Sequence, residues 1–144
     1  MNSDFYKLDL HKVTTSASVI TFLVSLTQKC YCTTSSCGDS IMALLSGTVG
    51  FVFGGAALTW LANPLLLTSW IMFKRSPKLS LILSGLALLL SLSFLLFKRV
   101  ISDEAGNYSE ITSYELGYWL WSLSSIIMFG GSLMDKFKKD SFTI

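Results

Sequence analysis

Charge is what this sequence has least of. Only 14% of its 144 residues are Asp, Glu, Lys or Arg, and histidine occurs once, whereas a soluble domain carries about 25% charged residues. The scarcity is patterned: Val13–Thr27, Ser40–Phe73, Leu79–Phe97 and Leu116–Met134 contain no Asp, Glu, Lys, Arg or His. With no ionisable group inside these stretches, the intramembrane proton relays, voltage sensors and ion-coupled carriers that need one are excluded. Also missing are a GxxxxGK[ST] phosphate loop and a GxGxxG turn between strand and helix. One histidine and scattered carboxylates form no catalytic set. Asp103, Glu104 and Glu110 could meet in one loop, but carboxylates in exposed loops are as a rule solvated. No enzymatic activity, cofactor, metal or nucleic-acid partner is expected.

What is present is apolar: 51% of the residues are hydrophobic. A helix that crosses roughly 30 Å of hydrocarbon needs about 20 mostly apolar residues, and its backbone must satisfy itself internally. The expected fold is therefore all-α, an integral membrane bundle of four helices forming a single domain. The spans fall at about 13–27, 40–62 with a short helix over 64–73, 79–97 and 115–134. With cytoplasmic termini, eight basic residues (Lys7, Lys12, Lys74, Arg75, Lys78, Lys136, Lys138, Lys139) lie inside against three outside, which is the usual cytoplasmic bias. The first stretch also has the basic start of a cleavable signal segment. It is diluted by Thr14, Thr15, Ser16, Ser18, Thr21 and Ser25, and retention is expected.

The second stretch poses a length problem. Residues 40–73 as one helix would measure about 51 Å at 1.5 Å per residue, too long for a straight crossing and too short for two. Asn63-Pro64 offers the break, because proline removes a backbone donor and disfavours helix in the residue before it. A kinked span over 47–73 is the alternative. Asn63 is either a hinge or ligand contact, or a helix-end amide that satisfies backbone groups freed by Pro64.

Five further features are candidates for function. Ser46, Gly50 and Gly54 form a small-residue ridge of the GxxxG type, through which membrane helices approach closely; it serves either a homo-oligomer or packing within the chain. Thr14, Ser18, Thr21 and Ser25 share one helical face and form either a polar seam or inter-helix hydrogen bonds, with Ser80, Ser84 and Ser91 as a weaker echo. Cys30, Cys32 and Cys37 share one loop and allow a disulfide, Cys37 with Cys32 or Cys30, leaving one thiol over. Trp60, Trp70, Trp119, Trp121, Tyr114 and Tyr118 read as an aromatic belt at the membrane edges. The tail Lys136-Phe-Lys-Lys139 reads as a contact to anionic headgroups.

Trp60-Leu-Ala-Asn-Pro-Leu-Leu-Leu67, Gly117-Tyr-Trp-Leu-Trp121, Asp103-Glu-Ala-Gly106 with Ser109 to Tyr114 after it, and Ser25-Leu-Thr-Gln28 together resemble a group of small, uncharacterised bacterial membrane proteins. The resemblance covers Ser25 to Met134. It implies a bacterial inner-membrane setting and a chain turn at Trp-Leu-Ala-Asn-Pro, and it brings no activity. The functional expectation is a non-enzymatic component that assembles with itself or another membrane protein through Ser46, Gly50 and Gly54. The alternatives are a small oligomeric pore lined by hydroxyls, and a membrane immunity or regulatory protein.

Overall fold

The computed structural model describes residues 3–101 and 106–141, with side chains from Leu10 onward other than that of Lys139. In chain order the elements are α1 (Ser3–Leu26), β1 (Lys29–Thr33), β2 (Cys37–Asp39), α2 (Ser40–Gly50), α3 (Ala62–Arg75), α4 (Pro77–Ser93), β3 (Arg99–Ile101), β4 (Tyr108–Tyr114) and α5 (Leu116–Ser141). Short 3-10 segments cover Phe51–Phe53, Gly55–Leu61 and Phe94–Leu96.

The fold is not an all-α bundle. The two segments expected as polar loops pair into one antiparallel sheet of four strands, in the order β2-β1-β4-β3. Tyr31 lies opposite Tyr114, Cys32 opposite Ser113, and Arg99 opposite Glu110. The physical reason is legible in the segments themselves. Tyr108–Tyr114 alternates between exposed and half-buried positions along most of its length, and both β1 and β4 carry the aromatic and β-branched residues that suit a pleated surface. One hairpin alone would be marginal, but four strands resting on helix ends form a stable unit.

The helical part also departs from four spans. Among the described residues, Gly55–Arg75 and Pro77–Leu96 are long and apolar enough to cross a membrane, with mean hydropathy 1.4 and 2.4, while Leu10–Leu26 and Ser40–Phe53 are apolar but shorter. Helix α5 runs past Met134 to Ser141, so Lys136 and Lys138 sit on a helix and not on a loose tail.

The break in the second stretch is elsewhere. Gly54 and Gly55 have φ of 73° and 62°, a left-handed conformation that costs other residues roughly 1–2 kcal/mol, and the chain turns there. It then stays helical through Asn63-Pro64, where the 3-10 segment passes into α3. Pro64 falls in the first turn of α3, where its fixed φ suits the helix. Neither a 40–62 span with a 64–73 helix nor a kinked 47–73 helix describes the chain.

Helices α1 and α5, α3 and α4, and α4 and α5 pack against one another. The material between them is mostly small and hydroxylated. Among the described residues fifteen buried side chains are polar or charged, eleven of them serines, and nine are hydrophobic. Close approach is a condition of that packing: a Cβ on Gly131 would fall inside the Thr14 side chain.

Candidate functional site: a chamber between hairpin and sheet

Helix α2 and the segment Gly55–Leu61 run back on each other as a hairpin whose tip is Gly54-Gly55. Trp60 holds the two arms together. Its indole Nε1 donates to the Leu44 carbonyl at 2.7 Å, and its ring stacks on Phe51 at 5.7 Å with 16° between planes. The ring lies so close over Gly47 that a Cβ there would fall inside it. Glycine at 47 is thus a packing requirement.

Between this hairpin, the sheet and the ends of α1 and α5 lies a cavity of about 540 Å³. Leu44, Ala43 and Trp60 line it from the hairpin, Cys30 and Val100 from the sheet, and Phe22 and Trp121 from the long helices. Its polar walls are largely self-satisfied. Ser25 donates to the Phe22 carbonyl and Thr59 to the Ala56 carbonyl. Trp121 donates through Nε1 to Asn63 Oδ1 at 2.9 Å, and Asn63 Nδ2 donates to the Trp60 carbonyl at 3.0 Å. That carbonyl is the one an α-helical N–H at position 64 would serve, and proline has none. The helix-end reading of Asn63 is what the geometry displays.

A shallower cleft adjoins the chamber, bordered by Gly55, Ala56, Leu96, Lys98, Arg99 and Tyr108. An exposed ion pair, Arg99 with Glu110 at 3.2 Å, sits at this edge of the sheet, and a second, Lys29 with Asp39 at 2.6 Å, at the opposite edge. Lys98 forms no ion pair among the described residues.

The three cysteines meet at β1 and β2. Cys32 and Cys37 form a disulfide, and Cys30 is a thiol in the chamber wall. Burial pushes the Cys30 thiol from 9.0 up to about 11, opposed weakly by a hydrogen bond with Ser40. Burial also raises the Tyr31 phenol, with the neighbouring Cys30 adding to the shift. At neutral pH Cys30 is therefore a thiol and a poor nucleophile. Among the described residues no three His, Cys, Asp or Glu side chains converge as a metal site would need. Asp103 and Glu104 lie outside the described residues, and Glu110 is committed to Arg99.

The other sequence candidates are distributed as follows. Of the hydroxyl seam, Thr14, Ser18 and Ser25 are buried and Thr21 is half-buried. Ser18 donates to the Ser124 carbonyl at 2.9 Å, Ser124 donates back to the Ser18 carbonyl at 2.8 Å, and Trp70 donates to the Ser18 hydroxyl. Ser18 thus joins α1, α3 and α5, while Thr21 donates to the Ala17 carbonyl of its own helix and Ser25 lies in the chamber wall. The small-residue ridge is interrupted: Ser46 and Gly50 lie on α2, but Gly54 sits in the turn. A Cβ on Gly50 would meet Ala57 at 3.8 Å, so that glycine faces its own chain. The aromatic belt is largely internal. Trp60, Trp70 and Trp121 bond inward, Tyr118 donates to the Ser91 carbonyl at 3.0 Å and Tyr114 to the Phe97 carbonyl at 3.2 Å. Trp119 is half exposed.

One polar contact has no counterpart in the sequence reading. His11 Nε2 lies 3.2 Å from Asp135 Oδ1, at a carboxylate that is 1% exposed. The His11 ring packs on Phe73 at 4.4 Å. Both residues flank the apolar stretches, and only the extension of α1 and α5 beyond those stretches brings them together.

The chain matches no protein-family model, no curated protein and no solved structure.

Proposed function

We propose that the protein is a multi-pass membrane protein of a bacterial inner membrane, with its helices in lipid, its sheet and disulfide on the outer side and both termini in the cytoplasm, and that its role there is binding and not catalysis. The observation that carries this reading is inverted polarity. Along α4, Leu79, Ile82, Leu86 and Leu89 point outward while Ser80, Ser84, Ala87 and Ser91 are buried. Helix α1 repeats the arrangement, with Ile20, Leu23 and Val24 outside and Ser18 and Ser25 inside. A helix on a water-soluble protein buries its apolar stripe and exposes its polar one; helices in lipid pack through small and hydroxylated residues.

Among the described residues twenty-seven large hydrophobic side chains are exposed, far beyond the patch of a few hundred Å² that a soluble monomer shows to water. Charge supports the same orientation. Lys74, Arg75, Lys78, Lys136 and Lys138 cluster at the chain ends of α3, α4 and α5 remote from the sheet, where a cytoplasmic surface with anionic headgroups would hold them.

Assembly through Ser46, Gly50 and Gly54 loses support because Gly54 leaves the helix and Gly50 faces Ala57, and conduction along Thr14, Ser18, Thr21 and Ser25 loses support because Ser18 bonds across to α5 while Thr21 and Ser25 bond their own helix. The chamber at the sheet end is the feature open to a partner molecule. Alkaline carbonate extraction of cell membranes tests the reading: the protein should stay with the membrane pellet and enter solution only with detergent. A folded, monodisperse species in detergent-free buffer would refute it.

A further inference from the structure

We propose that the chamber between hairpin and sheet binds one anionic membrane lipid, with an apolar chain in the cavity and its phosphate at Lys98 and Arg99. This rests on the membrane reading above. Three observations point to that occupant. The cavity of about 540 Å³ has the size of a small-molecule site, roughly 300–1,000 Å³. Ser25, Thr59, Trp60, Asn63 and Trp121 direct their polar atoms to partners within the protein; the buried Ser40 Oγ beside the Cys30 thiol is the exception among the described lining residues, so most of the wall offers water little and an alkyl chain displaces little of value.

The second observation is position. Lys98 and Arg99 come directly after the apolar run that ends at Phe97, at the depth where a lipid phosphate meets the interface. Gly55, Ala56, Arg99 and Tyr108 border both the chamber and the cleft that holds Lys98. The Arg99–Glu110 pair is 66% and 63% exposed, so it is weak and a phosphate can compete for the guanidinium with two parallel hydrogen bonds. The third observation is access: Phe53 and Leu96, 71% and 81% exposed, flank the opening and give a chain an apolar way in from the bilayer.

The test uses the full chain in mild detergent, stripped of lipid by exchange and then offered phosphatidylglycerol, phosphatidylcholine or inorganic phosphate. Native mass spectrometry reads stoichiometry. Brominated chains read location, since Trp60 and Trp121 line the chamber and contact with bromine quenches them. The expected result is a one-to-one phosphatidylglycerol adduct with saturable quenching, not displaced by inorganic phosphate. Affinity for phosphatidylcholine, and affinity of the Lys98→Glu/Arg99→Glu variant for phosphatidylglycerol, should be about tenfold lower, as loss of a charge-assisted contact implies. Ala43→Phe, which puts a ring into the cavity, should abolish the quenching.

Absence of an adduct from the folded chain overturns the site, as do equal binding of both lipids that neither variant changes, displacement by inorganic phosphate, or a second polypeptide in the adduct. Those results leave the membrane reading standing if the chain still requires detergent; a chain that sediments as a soluble monomer without it refutes both.

Discussion

Replacing Asn63 should reveal how the protein tolerates a proline at the entrance of α3. The side chain serves two buried partners at once, accepting from Trp121 Nε1 at 2.9 Å and donating to the Trp60 carbonyl at 3.0 Å. Asn63→Ala removes both contacts, and each buried polar group left unsatisfied costs about 1–3 kcal/mol. Hydrogen bonds in lipid-embedded helices average only about 0.6 kcal/mol, and the cavity lets a water molecule reach both groups, so the total should fall near 2–3 kcal/mol, toward the low end of twice that range. Pro64→Ala supplies a backbone N–H that can donate to the same Trp60 carbonyl. In that background Asn63→Ala should cost about 1 kcal/mol less, because only the Trp121 contact is lost. Unfolding by denaturing detergent of the wild type, both single variants and the double variant measures the coupling. Equal cost of Asn63→Ala in the two backgrounds would refute the compensation between amide and proline.

Two glycines on one helix should respond with opposite sign. Gly47→Ala drives the Trp60 ring off its seat, costing about 1–3 kcal/mol for the indole bond and about 0.5–1.5 kcal/mol for the Phe51 stack; Gly50→Ala makes ordinary contact with Ala57 and should stabilise α2 by about 0.5–1 kcal/mol. Denaturation midpoints decide it, and equal shifts refute the hairpin geometry. Cys30 should alkylate slowly. With its thiol raised from 9.0 to about 11, the thiolate fraction at pH 8 falls about a hundredfold, since each unit is a factor of ten, and the rate should climb tenfold per pH unit toward pH 11. The same shift contributes stability that is full below pH 9 and is lost as pH rises toward 11. A rate at pH 8 matching that of free cysteine would contradict the burial.

Much of the helical part could be read from the sequence because lipid-length apolar runs are a strong signal. The sheet was not, although Tyr108–Tyr114 carries the alternation of a strand. Scanning for charge-free stretches assigns everything between them to loops, and β2 and β3 are too short to show a period of two. The break was misplaced for a related reason: Asn63-Pro64 is the louder helix-breaking signal, but proline in a first turn breaks nothing, and Gly54-Gly55 acts through left-handed torsions that composition does not reveal. The seam face of Thr14, Ser18, Thr21 and Ser25 was legible as a face; its partners Ser124 and Trp70 depend on which helices meet. The chamber could not be foreseen, since its walls come from helices, strands and 3-10 segments spread from Phe22 to Trp121 and from a cysteine whose burial is tertiary.

The central claim is that oil surrounds the outward leucines. Leu89 is 65% exposed on the molecular surface, so its surroundings decide its chemistry. In intact membranes a membrane-impermeant maleimide should leave Leu89→Cys unlabelled while labelling Ser35→Cys, in the exposed β1–β2 turn, within minutes. Equal labelling of the two positions would show that water bathes the leucine face and would contradict the account.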